Sequence, residues 1–123
     1  ASDAFVAALE AIDAREGAVD ADGDEVRRLV AASTSADAIS LLSLLRDHPQ
    51  LAEGPLFERM AQLLPTPQPA TRAAWHADRE AVLEAWWQAL PYPRIKRWWM
   101  QWPDALPARG GKMAYWLRTQ AGG

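Results

Sequence analysis

The chain contains no cysteine, which excludes disulfides, thiolate nucleophiles and cysteine-ligated metals. It has only two histidines, His48 and His76, so a serine triad would have to use one of them. No Gly-x-Ser-x-Gly elbow accompanies any serine. No apolar run approaches the ~20 residues that a membrane-spanning helix needs. The first residues lack a cationic stretch followed by an apolar core, so no secretory signal is expected among them. Ala1 fits a removed leader as well as an excised methionine. Nowhere does the apolar pattern alternate over a strand's length. These absences lead us to expect an all-α cytoplasmic protein without a bound cofactor or metal, and with no transmembrane segment.

Half of the 123 residues are apolar and 24% are charged, which suits one globular domain with a real core. The net charge of −3 conceals an asymmetry. Residues 1–90 hold seven arginines against fifteen acids, giving −8, whereas residues 91–123 hold six cations against Asp104 alone, giving +5. All seven tryptophans fall between Trp75 and Trp116. An acidic, aliphatic front is therefore joined to a basic, aromatic back. The two attract each other, or the back meets an anionic partner. The Ala-, Leu-, Arg- and Trp-rich composition fits a GC-rich bacterial genome.

Helical spacing recurs along the front. Ser2 or Asp3 caps a first helix with Phe5, Val6, Leu9 and Ile12 in one stripe. Asp20-Ala21-Asp22-Gly23-Asp24 then breaks the chain. A calcium loop starting at Asp20 would need Gly at its sixth position and Glu at its twelfth, where Glu25 and Ala31 stand, so the run reads as a solvated turn with Asp24 as the next cap. Val26, Leu29 and Val30 face inward from a second helix, with Arg27 and Arg28 outward. Thr34 and Asp37 form a capping box. The helix that follows, from Ala36 to about Asp47, is apolar almost all round (Ile39, Leu41, Leu42, Leu44, Leu45), the mark of a central core helix. His48-Pro49 ends it. A fourth helix starts near Pro55 with Leu56, Phe57, Met60, Leu63 and Leu64 inward. Pro65, Pro67 and Pro69 make an extended connector, read as a joint between subdomains 1–64 and 70–123 of one domain. A long fifth helix is expected from Ala70 to Leu90, with Trp75, Val82, Trp86 and Ala89 as its main stripe, widened by Leu83, Trp87 and Leu90.

The back half holds the most concentrated signal. Between Pro93 and Pro103, Ile95, Trp98, Trp99 and Trp102 recur at i, i+3, i+4 and i+7, with Arg94, Lys96, Arg97 and Gln101 on the flanks and opposite side. A last helix from Lys112 to Gln120 would turn Met113, Trp116 and Leu117 inward. The sum is six or seven short helices in two layers.

Four features invite a chemical reading but lack what that chemistry needs. His76, Glu80 and Glu84 would share one face of a continuous fifth helix, but they lack the Glu-x-x-His repeat of carboxylate-bridged metal bundles. Arg109-Gly110-Gly111-Lys112 lacks P-loop spacing and a preceding strand. The terminal Gly-Gly lacks the β-rich fold of ubiquitin-like carriers. A cationic, Trp-rich helix also resembles membrane-surface peptides, although this one lies within an acidic globular chain. The basic, aromatic segment is left. Trp, Tyr and Arg are the residues that anchor interfaces. The expectation is a non-enzymatic protein–protein interaction module (an adaptor, inhibitor or accessory subunit) with Arg94, Lys96, Arg97, Trp98, Trp102 and Lys112 meeting the partner. The alternative is a nucleic-acid-binding accessory protein whose cations contact phosphates.

Overall fold

The computed structural model describes residues 2–15 and 17–91, and these form an all-helical body with six α-helices and no strand among the described residues. α1 (Asp3–Asp13) is capped by Ser2, whose hydroxyl accepts from the Phe5 N–H at 3.1 Å. It buries Phe5, Ala8, Leu9 and Ile12 on one face. Gly17 adopts φ 90°, a conformation that suits glycine in the loop after α1. α2 (Asp24–Ala32) buries Val26 and Leu29 and leaves Arg27 and Arg28 in solvent. Its N-cap is Gly23, so Asp24 is the first helical residue rather than the cap. The acidic run organises the turn instead: the Asp20 carboxylate accepts from the Asp22 N–H at 3.0 Å, and its carbonyl accepts from the Gly23 N–H at 3.0 Å.

The chain then bends by 120° into the central element. The expected capping box is present, with the Thr34 N–H donating to the Asp37 carboxylate at 2.8 Å. It opens a 3-10 turn, Ser35–Asp37, which runs into α3 (Ala38–Asp47). Residues 38–45 of α3 are all buried, as an all-round apolar helix requires. Each fully buried leucine there contributes about 1.5–3 kcal/mol. His48 terminates α3, and a second 3-10 segment, Pro49–Glu53, leads into α4 (Pro55–Leu63). Leu56, Phe57, Met60 and Leu64 face the core from α4, while Leu63 is half-buried.

Residues 64–71 have no regular structure and carry the three spaced prolines across to the last pair of helices. Here the structure corrects the sequence. The expected helix from Ala70 to Leu90 is two helices, α5 (Arg72–Ala77) and α6 (Arg79–Ala89), meeting at Asp78 with φ −156° and ψ 84°. The cause is local. The Asp78 carboxylate accepts from the Ala81 N–H at 3.2 Å and caps α6, while the Asp78 N–H closes α5 on the Ala74 carbonyl at 2.8 Å. The consequence is tertiary. In one straight helix Trp75 and Trp86 would be separated by a rise of about 16 Å. At the elbow their ring centroids come to 6.3 Å, and both pack edge-on against Phe57, at 6.0 and 5.4 Å. One hydrophobic cluster thus runs from Phe5 through α3 to Leu90, across the proline stretch.

Candidate functional site

The segment that dominates the sequence, with Arg94, Lys96, Arg97, Trp98, Trp102 and Lys112, lies outside the described residues, as does the expected helix from Lys112. What the structure supplies is the surface on which the chain arrives there. α6 ends at Ala89, Leu90 is buried, and Pro91 is exposed.

Along α6, Glu80, Leu83, Glu84 and Trp87 stand at i, i+3, i+4 and i+7 and line one cleft with Leu42 and Arg46 of α3, enclosing about 220 Å³. The floor is apolar: Leu42 and Leu83 are 4% and 9% exposed. Trp87 is half-buried against the core cluster. The rim is acidic, since Glu80 and Glu84 are exposed and neither enters an ion pair among the described residues. Arg46, the cation of the lining, has Asp47 Oδ1 at 3.3 Å. Gln88 donates to Glu84 Oε1 at 2.7 Å and steadies that carboxylate one turn from the end of the helix. The sequence carried this stripe, but the expected continuous helix put Leu83 and Trp87 on its core side and both glutamates on its wet side. In the structure all four line the cleft against Leu42 and Arg46 of α3.

A second polar furrow lies at the other end of the α5 elbow, lined by Asp22, Arg27, Glu53, Glu58 and Arg72 around Gly54 and Pro55. Arg72 is its hub. The guanidinium donates to the Ala52 carbonyl at 2.8 Å, the Gly54 carbonyl at 2.9 Å and Glu58 Oε2 at 2.7 Å, and lies 5.4 Å from the Phe57 ring centroid. These contacts fasten α5 to the start of α4. The Arg72 hydrogen bond holds the Glu58 carboxyl below its ordinary range, and Glu58 in turn raises the Arg72 pKa. Arg72 is held by Glu58 and the two backbone carbonyls, so this part of the furrow reads as a structural clasp. Its partners are 14 to 20 residues apart, with no motif to announce them. Arg59 plays a similar part on α4, donating to the Ser33 hydroxyl at 2.9 Å and the Ser33 carbonyl at 2.6 Å beyond the end of α2.

The histidine–carboxylate alignment expected on a continuous fifth helix is not formed. His76 lies on α5 and Glu80 and Glu84 lie on α6, with the elbow between them. His76 Nε2 instead meets Glu53 Oε1 at 2.9 Å, both side chains being more than half exposed. Among the described residues, no group of three His, Asp or Glu side chains gathers as a metal site would require. No single helix among them is long and apolar enough to cross a membrane. Of the seven tryptophans, Trp75 and Trp86 are core residues and Trp87 lines the α3–α6 cleft. No protein-family model, no curated protein and no solved structure matches this chain.

Proposed function

We propose that this chain is a non-enzymatic protein–protein interaction module, an adaptor, inhibitor or accessory subunit, that meets its partner through the segment beyond α6. The observation that carries the reading is the partition of aromatic and charged residues. The body of residues 2–91 places two tryptophans in an otherwise mainly aliphatic core. Four more tryptophans and six cations are concentrated in residues 91–123. In this reading Trp98 and Trp102 are the apolar anchors, and Arg94, Lys96, Arg97 and Lys112 select an acidic protein surface.

The test is affinity capture from the source cells with the wild-type chain and with Trp98→Ala and Trp102→Ala, each checked by far-UV circular dichroism. A protein enriched by the wild type and lost from both folded variants supports the proposal; the same proteins captured by all three would refute it. The same cations also suit phosphates. Nucleic-acid binding would show as an affinity for a labelled oligonucleotide that falls with salt, with a log–log slope of about −2 to −4 for three to five contacts. No binding at ~50 mM salt removes that reading.

A further inference from the structure

We propose that this chain pairs with a second copy of itself by exchanging the arm formed by α5 and α6 across the proline connector. Three observations carry the proposal. First, the arm grips the body through groups that any copy presents. Trp75 and Trp86 pack on Phe57, Arg72 donates to Ala52, Gly54 and Glu58, and His76 meets Glu53. These receiving groups all lie in residues 52–58, before the connector, so a second body offers them in the same arrangement. Second, the connector is lightly held. Among the described residues, the one hydrogen bond made by residues 65–70 runs from the Thr66 hydroxyl to the Gln68 carbonyl. Pro65, Pro67 and Pro69 are exposed and have no N–H to give. A cleft of about 290 Å³ runs between Thr66, Gln68 and Ala70 of the connector and Ala74, Ala81 and Ala85 of the arm. Third, the connector is long enough. Residues 64–71 span about 26–29 Å when extended, against about 16 Å for the 11 residues of α6. Proline fixes φ at about −65°, which suits that extended course, whereas the chain bends at Pro67 and Gln68 when the arm closes on its own body.

Exchange keeps every arm–body contact and alters the connector alone. The cluster that includes Phe57, Trp75 and Trp86 is rebuilt twice in the pair, once on each body. The obstacle is the opening of the arm, which exposes both tryptophans, so copies exchange only through an opened or unfolded state. The pair therefore forms from concentrated unfolded chains and persists when diluted. It stands whether or not the proposed function holds. Only its consequence, that one particle offers two basic ends to a partner, rests on that reading.

In the test, the full chain is unfolded in urea, refolded over a range of protein concentrations and read by size exclusion with light scattering. A species of twice the monomer mass should grow with concentration, persist on dilution and keep the monomer's far-UV circular dichroism. Glu58→Arg and Arg72→Glu then assign the arms. Each variant alone sets like charges at the clasp, whether its arm is closed or exchanged. A mixed pair instead rebuilds the native Arg72–Glu58 contact in one of its two interfaces and joins opposite charges in the other. When differently tagged variants are refolded together, the ratio of mixed to like pairs should exceed the statistical value by about fivefold. Rescue of a variant that folds only in the mixture supports the proposal as well. Monomer mass at every concentration overturns it. So does a dimer that separates on dilution, or mixed pairs at the statistical share, because copies joined by their outer surfaces behave in that way.

Discussion

Gly54 offers the sharpest steric test of the fold. Its backbone, at φ −114° and ψ −165°, is extended and open to any residue, so alanine meets no conformational obstacle there. The obstacle is Ala21. A Cβ on residue 54 would stand 2.0 Å from the Ala21 carbonyl oxygen, 2.5 Å from its carbonyl carbon and 3.0 Å from its Cβ. Favourable carbon contacts lie at about 3.5–4.0 Å, so Gly54→Ala must push the Asp20–Gly23 turn back by more than an ångström. That movement also pulls on the Gly54 carbonyl, which Arg72 holds at 2.9 Å. Overpacking of this kind costs about 1–3 kcal/mol, offset by about 0.4–1 kcal/mol because alanine restricts the unfolded chain. The net expectation is a loss of roughly 1.3 kcal/mol, or a Tm lower by roughly 5 °C in a domain of this size. Thermal and urea unfolding followed by far-UV circular dichroism measure both. Adding Ala21→Gly should not rescue the variant, because the two closest atoms belong to the Ala21 backbone. An unchanged or raised Tm, the result if only chain entropy acted, would refute the reasoning; rescue by Ala21→Gly would show that the methyl carries the clash.

Three other perturbations probe the elbow and the clasp. Asp78→Ala removes the α6 cap and should cost about 1 kcal/mol in urea unfolding; in a continuous helix the same change would instead gain up to about 0.7 kcal/mol, so the sign alone decides. Trp86 is fully buried between Phe57 and Trp75, and its indole N–H has no hydrogen-bond partner among the described residues. Trp86→Ala should therefore cost about 3–5 kcal/mol, while Trp86→Phe, which removes the unsatisfied donor and keeps a ring, should cost clearly less; equal losses would contradict this packing. Glu58 has a lowered pKa in the folded state, so its contribution is present above the ordinary glutamate value of about 4.3 and is lost as pH falls through the depressed one. Because the pair is partly exposed, wild type should exceed Glu58→Gln by no more than about 1 kcal/mol at pH 7, with the difference closing in acid; a pH-independent difference would contradict it.

The elements that were legible in the sequence are those whose instructions are local. Ser2 caps α1, Thr34 and Asp37 form their box, and His48-Pro49 stops α3. The all-round apolar run of α3 announced its own burial. Asp78 shows where such reading stops. An aspartate within a strongly helical stretch is compatible with a solvated face or with a cap, and propensity favours the face. Only the packing of Trp75 and Trp86 on Phe57 makes the break worthwhile. The clasp follows from that tertiary decision. Arg72 reaches Ala52, Gly54 and Glu58 because α5 turns back. No spacing rule anticipates contacts made by folding the chain on itself.

The central claim is that the cations beyond α6 select an acidic protein surface. Its most direct measurement is quantitative affinity capture from the source cells with the wild-type chain and with Arg94→Glu/Lys96→Glu/Lys112→Glu, which spares Arg97 and the tryptophans. The account predicts a protein, retained after nuclease treatment, that the wild type enriches and the charge-reversed chain loses, with unfolding curves that coincide. Equal capture by both chains, or capture that vanishes with nuclease, would contradict it.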